Sequence, residues 1–188
     1  MTDEAELALR DTFSFWRATD QWPIYEQPHK EMFGIFDAAG PDRSQQRRTP
    51  LSSMFLAPRF SNKTYGVAKS IARRVIKDPN ISIGIFRSTR EEARKMLRLV
   101  KSILRNPKVT ELFGDPYYGS ELWNNDAIVV PWRTISRTDP TVFTMGTTGT
   151  STGNHPDFIY GDDLVTDVNC DSVKEQESLW AYIEAFEP

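Results

Sequence analysis

A chain of 188 residues, 39% apolar and 26% charged, with five Trp, eleven Phe and six Tyr, can bury a real core and is too short for several domains of ordinary size. This excludes a disordered chain and a mini-protein, and with one cysteine, Cys170, and two histidines an internal disulfide and a conventional zinc site are excluded as well. The net charge of −3 hides a segregation: residues 43–108 hold seventeen Lys or Arg against three acids, a balance of +14, while the remainder carries −17, which suggests a polyanionic partner for the middle segment.

In chain order, the spacing of Leu7, Leu9, Phe13 and Trp16 predicts an amphipathic helix over residues 3–17, ending before Trp22-Pro23. A second helix begins near Pro28 and carries Met32, Phe33, Ile35 and Phe36. Residues 40–50, polar and basic, read as an exposed loop. Residues 51–56 form a short strand candidate, and 64–76 show a helical period through Val67, Ala68, Ile71, Ala72, Val75 and Ile76. A strand over 81–86 leads to Thr89-Arg90-Glu91-Glu92, where Thr89 can cap a helix and Glu92 holds the capping-box position. That helix runs to about Leu104 and stops before Pro107. Further strands are expected at 127–130, 141–145 and 158–160, and a helix from Ser172 onward. Strands alternating with helices predict an α/β sandwich with a largely parallel sheet, whose ligands gather at the carboxyl ends of the strands. No run of apolar residues approaches the ~18 needed to cross a bilayer, and Met1-Thr2-Asp3-Glu4 is acidic where a secretory signal is basic, so the expectation is a cytoplasmic protein with no membrane partner.

The chemistry gathers at two places. After the first strand candidate the chain reads Ala57-Pro58-Arg59-Phe60-Ser61-Asn62-Lys63-Thr64 and enters a helix. A phosphate-binding loop, G-x-x-x-x-G-K-[ST], cradles phosphate oxygens with backbone N–H groups and a helix N-terminus, while its lysine reaches the outer phosphates and its hydroxyl holds magnesium. Ala57 and Asn62 replace the two glycines here, and asparagine tolerates left-handed backbone angles better than most residues. About a hundred residues later, His155-Pro156-Asp157-Phe158-Ile159-Tyr160-Gly161-Asp162-Asp163 is an apolar strand ending in two acids. In a P-loop ATPase the first such acid holds magnesium through water and the second orients or deprotonates the attacking water. Tyr160-Gly161-Asp162-Asp163 is also the tetrapeptide that many RNA-dependent polymerases place on a hairpin, but polymerase palms need a much longer chain and another acid motif upstream.

These residues resemble a known family, the large terminase subunit that drives DNA packaging in tailed bacteriophages. The resemblance spans about residues 22–186 and is carried by Phe55-Leu56-Ala57-Pro58-Arg59 leading into Lys63-Thr64, by Ser88-Thr89-Arg90-Glu91-Glu92-Ala93, and by residues 149–164. It implies an ASCE-like P-loop NTPase, a three-layer sandwich with residues 1–50 as N-terminal helices and basic loop and 51–188 as a C-terminally truncated ATPase core. In the family a nuclease domain follows. It further implies ATP and Mg2+ as cofactors, with Lys63 on the β- and γ-phosphates, Thr64 and Asp162 on the metal and Asp163 on the water. Arg59 becomes the loop arginine that senses or stabilises γ-phosphate charge, and Tyr25 and Gln27 stand where such enzymes clasp adenine. The implied partners are double-stranded DNA, a portal protein, a small terminase subunit and further copies of the chain in a ring, all in the host cytoplasm.

For DNA, the basic residues Arg43, Arg47 and Arg48 of the loop and Arg94, Lys95, Arg98 and Lys101 of the following helix are the candidates. Trp132 is the aromatic candidate for partner contact, the other tryptophans being assigned to core or interface. His29 and His155 read as structural, with His155 closer to the acid strand, and Cys170 as inert. Two alternatives stand beside the motor: a helicase-like ATPase acting on another substrate, and a degenerate P-loop module that binds DNA or a partner without turnover, for which the missing glycines argue.

Overall fold

The computed structural model describes residues 2–20, 24–38, 61–146, 154–164 and 177. Within them the chain forms a mixed α/β fold, a five-stranded sheet flanked by helices. The N-terminal segment makes two short helices rather than one: α1, Asp3–Leu9, and α2, Thr12–Thr19. The break falls at Asp11, whose side chain accepts from Ser14 N–H and caps α2. An N-cap acceptor of this kind offers the backbone a better exit than continued helix. The third helix, α3, Glu26–Ala38, and the fourth, α4, Lys63–Lys77, follow.

Helix α4 is central. Val67, Ala68, Ile71, Ala72 and Val75, at helical spacing, are all buried, and each large apolar side chain among them contributes about 1.5–3 kcal/mol by leaving water. The helix ends at Asp78, before Pro79. Strand β1, Ile83–Arg87, is buried throughout, as a strand covered on both faces must be. Helix α5, Arg90–Leu104, starts on Thr89, whose hydroxyl accepts from Glu92 N–H at 3.2 Å. Two elements absent from the sequence reading come next: α6, Pro107–Phe113, with Asn106 as cap and Pro107 in its first turn, and the two-residue β2, Leu122–Trp123. Strands β3, Ala127–Val129, β4, Val142–Gly146, and β5, Phe158–Gly161, complete the sheet.

The strand order is β2-β3-β4-β1-β5. Strand β1 pairs parallel with both β4 and β5, whereas β2–β3 and β3–β4 are antiparallel. The expected largely parallel sheet is therefore corrected to a mixed one. Only residues 124–126 separate β2 from β3, a hairpin that forces antiparallel pairing, and residues 130–141 between β3 and β4 hold no helix to carry a crossover. Helices α2, α4, α5 and α6 build the main core against Ile83, Ile85, Val142 and Tyr160. Phe86, Ala127, Phe143 and Met145 form a second cluster, to which the described helices contribute nothing. The strand expected at 51–56 and the helix expected from Ser172 lie outside the described residues, apart from helical Glu177.

The N-terminal helices are bound to α4 by buried polar groups as well as apolar ones. Arg73 is 4% exposed; its guanidinium donates to Leu9 C=O at 2.8 Å, to Thr12 Oγ1 at 3.3 Å and to Asp37. Lys69, fully buried, donates to Thr19 Oγ1 at 2.9 Å and pairs with Asp20 at 3.3 Å. Burial lowers its pKa, and Asp20 opposes that shift. Tyr65 donates its hydroxyl to Asp20; burial, then this bond, raises its pKa. Trp16 and Phe33 stack beside these groups with centroids 5.4 Å apart.

Candidate functional site

Three features bring the candidate residues to one edge of the sheet. Because β1 and β5 run parallel, with Phe86 in register with Gly161, their carboxyl ends emerge side by side. Asp162 N–H donates to Phe86 C=O at 3.1 Å, extending the ladder one residue and setting Asp162 next to Arg87. Helix α4 begins at this same edge. There Thr64 Oγ1 donates to Asp162 Oδ2 at 3.3 Å, across 98 residues of sequence.

Asn62, the N-cap of α4, takes the left-handed conformation, φ 56° and ψ 22°, and makes no side-chain capping bond. The first-turn N–H groups thus lack the side-chain acceptor that usually serves them, which makes a helix N-terminus attractive to an anion. The hydroxyl of Ser61 is buried and has no hydrogen-bond partner among the described residues, a state that protein interiors rarely tolerate without a ligand or water. Lys63 stands close enough to Asp162 to favour its ionised form.

Arg87, the residue that sequence reasoning missed, ties the acids together. It is 8% exposed, and its Nη2 lies 2.8 Å from Asp163 Oδ2 and 3.3 Å from Asp162 Oδ2. Its Nε donates to Asp162 C=O at 3.3 Å, and its Nη1 is 3.7 Å from Glu92. Glu92 also pairs with Lys95. Asp163 has φ 49°, a second left-handed residue at the edge and one that Asp adopts more readily than branched side chains. Burial pushes the pKa of Asp162 above the ordinary 3.8; Arg87 opposes this, Asp163 adds to it, and Thr64 and Lys63 oppose it.

Could these groups hold the implied cofactors? Magnesium favours hard oxygen ligands and is bound in nucleotide sites through one or two carboxylates together with phosphates and waters, rather than in an all-protein cage. Thr64 and Asp162 offer that oxygen pair, and no group of three or more His, Cys, Asp or Glu suited to a metal occurs among the described residues. The oxygen pair fits a cation carried with a phosphate ligand, and Lys63 and the N-terminus of α4 bring positive charge beside it.

The other expected residues fare variously. Ala57, Pro58, Arg59 and Phe60, and the loop residues Arg43, Arg47 and Arg48, lie outside the described residues. Tyr25 is 72% exposed and stacks on His29 with centroids 6.0 Å apart; Gln27 is exposed at the start of α3. His29 is buried beside Trp16 and Phe33, and His155 is exposed, its backbone N–H donating to Asp139 at 3.3 Å. On α5, Arg94 makes two bonds to Asp126, at 2.8 and 3.0 Å, Lys95 pairs with Glu92, and Arg98 with Glu91 at 3.3 Å. Lys101 donates to Asn124 C=O at 3.2 Å and lies 5.5 Å from the ring centre of Trp123.

Trp132, the aromatic candidate for partner contact, is half-buried against the main core and lines a groove of about 270 Å³ with Leu9, Ile76, Leu112 and Phe113. Its position after a strand reflects the turn that folds it back onto α6, a contact the local sequence could not reveal. Among the described residues no helix is long and apolar enough to cross a membrane. No family model matches the chain, and no curated protein matches it.

Proposed function

We propose that the chain is the ATP-hydrolysing domain of a DNA-packaging motor of the large-terminase type. The observation that carries this reading is the 3.3 Å approach of Thr64 Oγ1 to Asp162 Oδ2 at an uncapped helix N-terminus. A hydroxyl and a carboxylate from distant parts of the chain, both next to a lysine, form the donor set that a magnesium–nucleotide ligand requires. When bound, Mg2+ neutralises charge developing on the transferred phosphoryl group. Lys63 and the N–H groups opening α4 bind the phosphates, Thr64 and Asp162 hold the cation, and Asp163 orients the water. Arg59 meets γ-phosphate charge, and Tyr25 and Gln27 hold adenine.

Double-stranded DNA, a portal protein, a small terminase subunit and a ring of like chains complete the proposed motor. Arg43, Arg47 and Arg48 of the loop and Arg94, Lys95, Arg98 and Lys101 of α5 are the proposed DNA contacts, and Arg94, Lys95 and Arg98 would exchange their pairs with Glu91, Glu92 and Asp126 for phosphates. The non-hydrolysing binding module is favoured by one observation, the hold of Arg87 on Asp163. Magnesium-dependent ATP hydrolysis separates the two readings. Phosphate release by the wild type, abolished in Asp162→Asn, supports the motor domain; nucleotide binding without release supports the module.

A further inference from the structure

The guanidinium of Arg87 and the hydroxyl of Thr64 meet on a single atom. Arg87 Nη2 and Thr64 Oγ1 each lie 3.3 Å from Asp162 Oδ2. A cation seated between Thr64 Oγ1 and Asp162 Oδ2 stands within a few ångströms of the guanidinium on that same oxygen, and the two positive charges repel. Arg87 is only 8% exposed, so it cannot swing into water at no cost when it gives the oxygen up. It need not. Three contacts remain without the Asp162 carboxylate: Asp163 at 2.8 Å, the Asp162 backbone carbonyl at 3.3 Å and Glu92 at 3.7 Å.

We infer that Arg87 is a resident counter-ion that occupies the cation position on Asp162 in the metal-free protein, yields Asp162 Oδ2 when a divalent cation arrives, and stays on Asp163 throughout. It is a positioning residue. It offsets the buried charge of Asp162 before the metal does, and it fixes the side chain of Asp163, which sits on a left-handed backbone and is otherwise more than half exposed. The inference rests on the proposed nucleotide site and adds to it an exchange of partners. Removing the arginine therefore strengthens binding of the bare metal, whereas loss of a merely structural residue weakens it.

The experiment titrates Mn2+ alone, without nucleotide, into the 188-residue chain and follows free Mn2+ by electron paramagnetic resonance. Arg87→Met is expected to bind about tenfold more tightly than the wild type, the factor that one competing charged hydrogen bond represents, and the gain disappears in Arg87→Met/Asp162→Asn. Equal or weaker binding by a folded Arg87→Met overturns the inference. If that variant does not fold, the wild type answers: the Arg87 Nε–Hε resonance, assigned by its loss in Arg87→Lys, moves on addition of Mg2+. A resonance that stays fixed at saturating Mg2+ overturns the inference. ATP hydrolysis by the same wild-type preparation keeps the two readings apart. Tighter Mn2+ binding without hydrolysis leaves the exchange standing and the motor reading refuted, and hydrolysis with unchanged Mn2+ affinity does the reverse.

Discussion

Removing Asp37 tests how the N-terminal helices are held to the body of the protein. Its two carboxylate oxygens accept from Thr12 N–H at 2.7 Å, from the Thr12 hydroxyl at 2.6 Å and from Arg73, so one side chain joins α2, α3 and α4. Asp37→Ala leaves the 4%-exposed Arg73 with only Leu9 C=O and Thr12 Oγ1 as neutral acceptors. Breaking a buried pair in this way costs about 3–5 kcal/mol, and the 18% exposure of the Asp37 side chain places the expectation near the lower end, about 3 kcal/mol. For a chain of this length that lowers the melting temperature by roughly 6–12 °C. Urea unfolding followed by tryptophan fluorescence measures it, since Trp16 is fully buried beside Phe33. The companion variant Asp37→Ala/Arg73→Met removes the orphaned charge and recovers most of the loss. An Asp37→Ala protein within about 0.5 kcal/mol of the wild type, or a double variant no better than the single, would falsify the account of this network.

Three further outcomes are expected. Gly66 lies inside α4, where alanine normally adds about 1 kcal/mol, but a Cβ there would stand 2.4 Å from Phe33 Cε1; overpacking of about 1–3 kcal/mol outweighs the gain, so thermal melts should rank Gly66→Ala below the wild type, and the order should reverse in a Phe33→Leu background. Because Asn62 already holds left-handed angles, Asn62→Gly is near neutral in stability while Asn62→Val loses about 1–2 kcal/mol, and chemical denaturation of the two variants decides it. The Asp162 carboxyl, raised chiefly by burial, titrates above 3.8 in a carbon-13 NMR titration of the folded protein. A group raised on folding binds its proton more readily in the native state, so its destabilising effect is full at neutral pH and is relieved as pH falls through the raised value. Arg87→Met moves that midpoint higher still, and a midpoint at or below 3.8 contradicts the described burial.

The sequence revealed some of this edge and hid the rest for physical reasons. Asn62 was legible because few residues tolerate positive φ, and its place before Lys63-Thr64 demanded it. Thr89 was legible as a cap for another local reason: a hydroxyl three residues before Glu92 can accept a first-turn N–H. Arg87 was not, because a basic residue closing a strand usually points to water; only the register that sets Phe86 beside Gly161 turns it toward Asp162 and Asp163. The mixed sheet was hidden because apolar runs such as 127–130 carry no sign of strand direction. Helix α6 escaped notice since Pro107 reads as a stop for the preceding helix, yet proline serves equally in a first turn.

Tyr160 has a bearing on motion at this edge. Its hydroxyl is buried between Ser70 Oγ, at 2.8 Å, and Arg74 Nε, at 2.9 Å, so β5 and α4 are riveted together only two residues from Asp162 and less than two helical turns from Thr64. Two bodies pinned at such a point cannot slide or part without breaking these bonds. The gap between Thr64 and Asp162 is therefore stiff. Whatever yields at this edge must be the side chains flanking it, while the helix and strand move as one lever whose far end carries Arg73 and, through Asp37, the N-terminal helices.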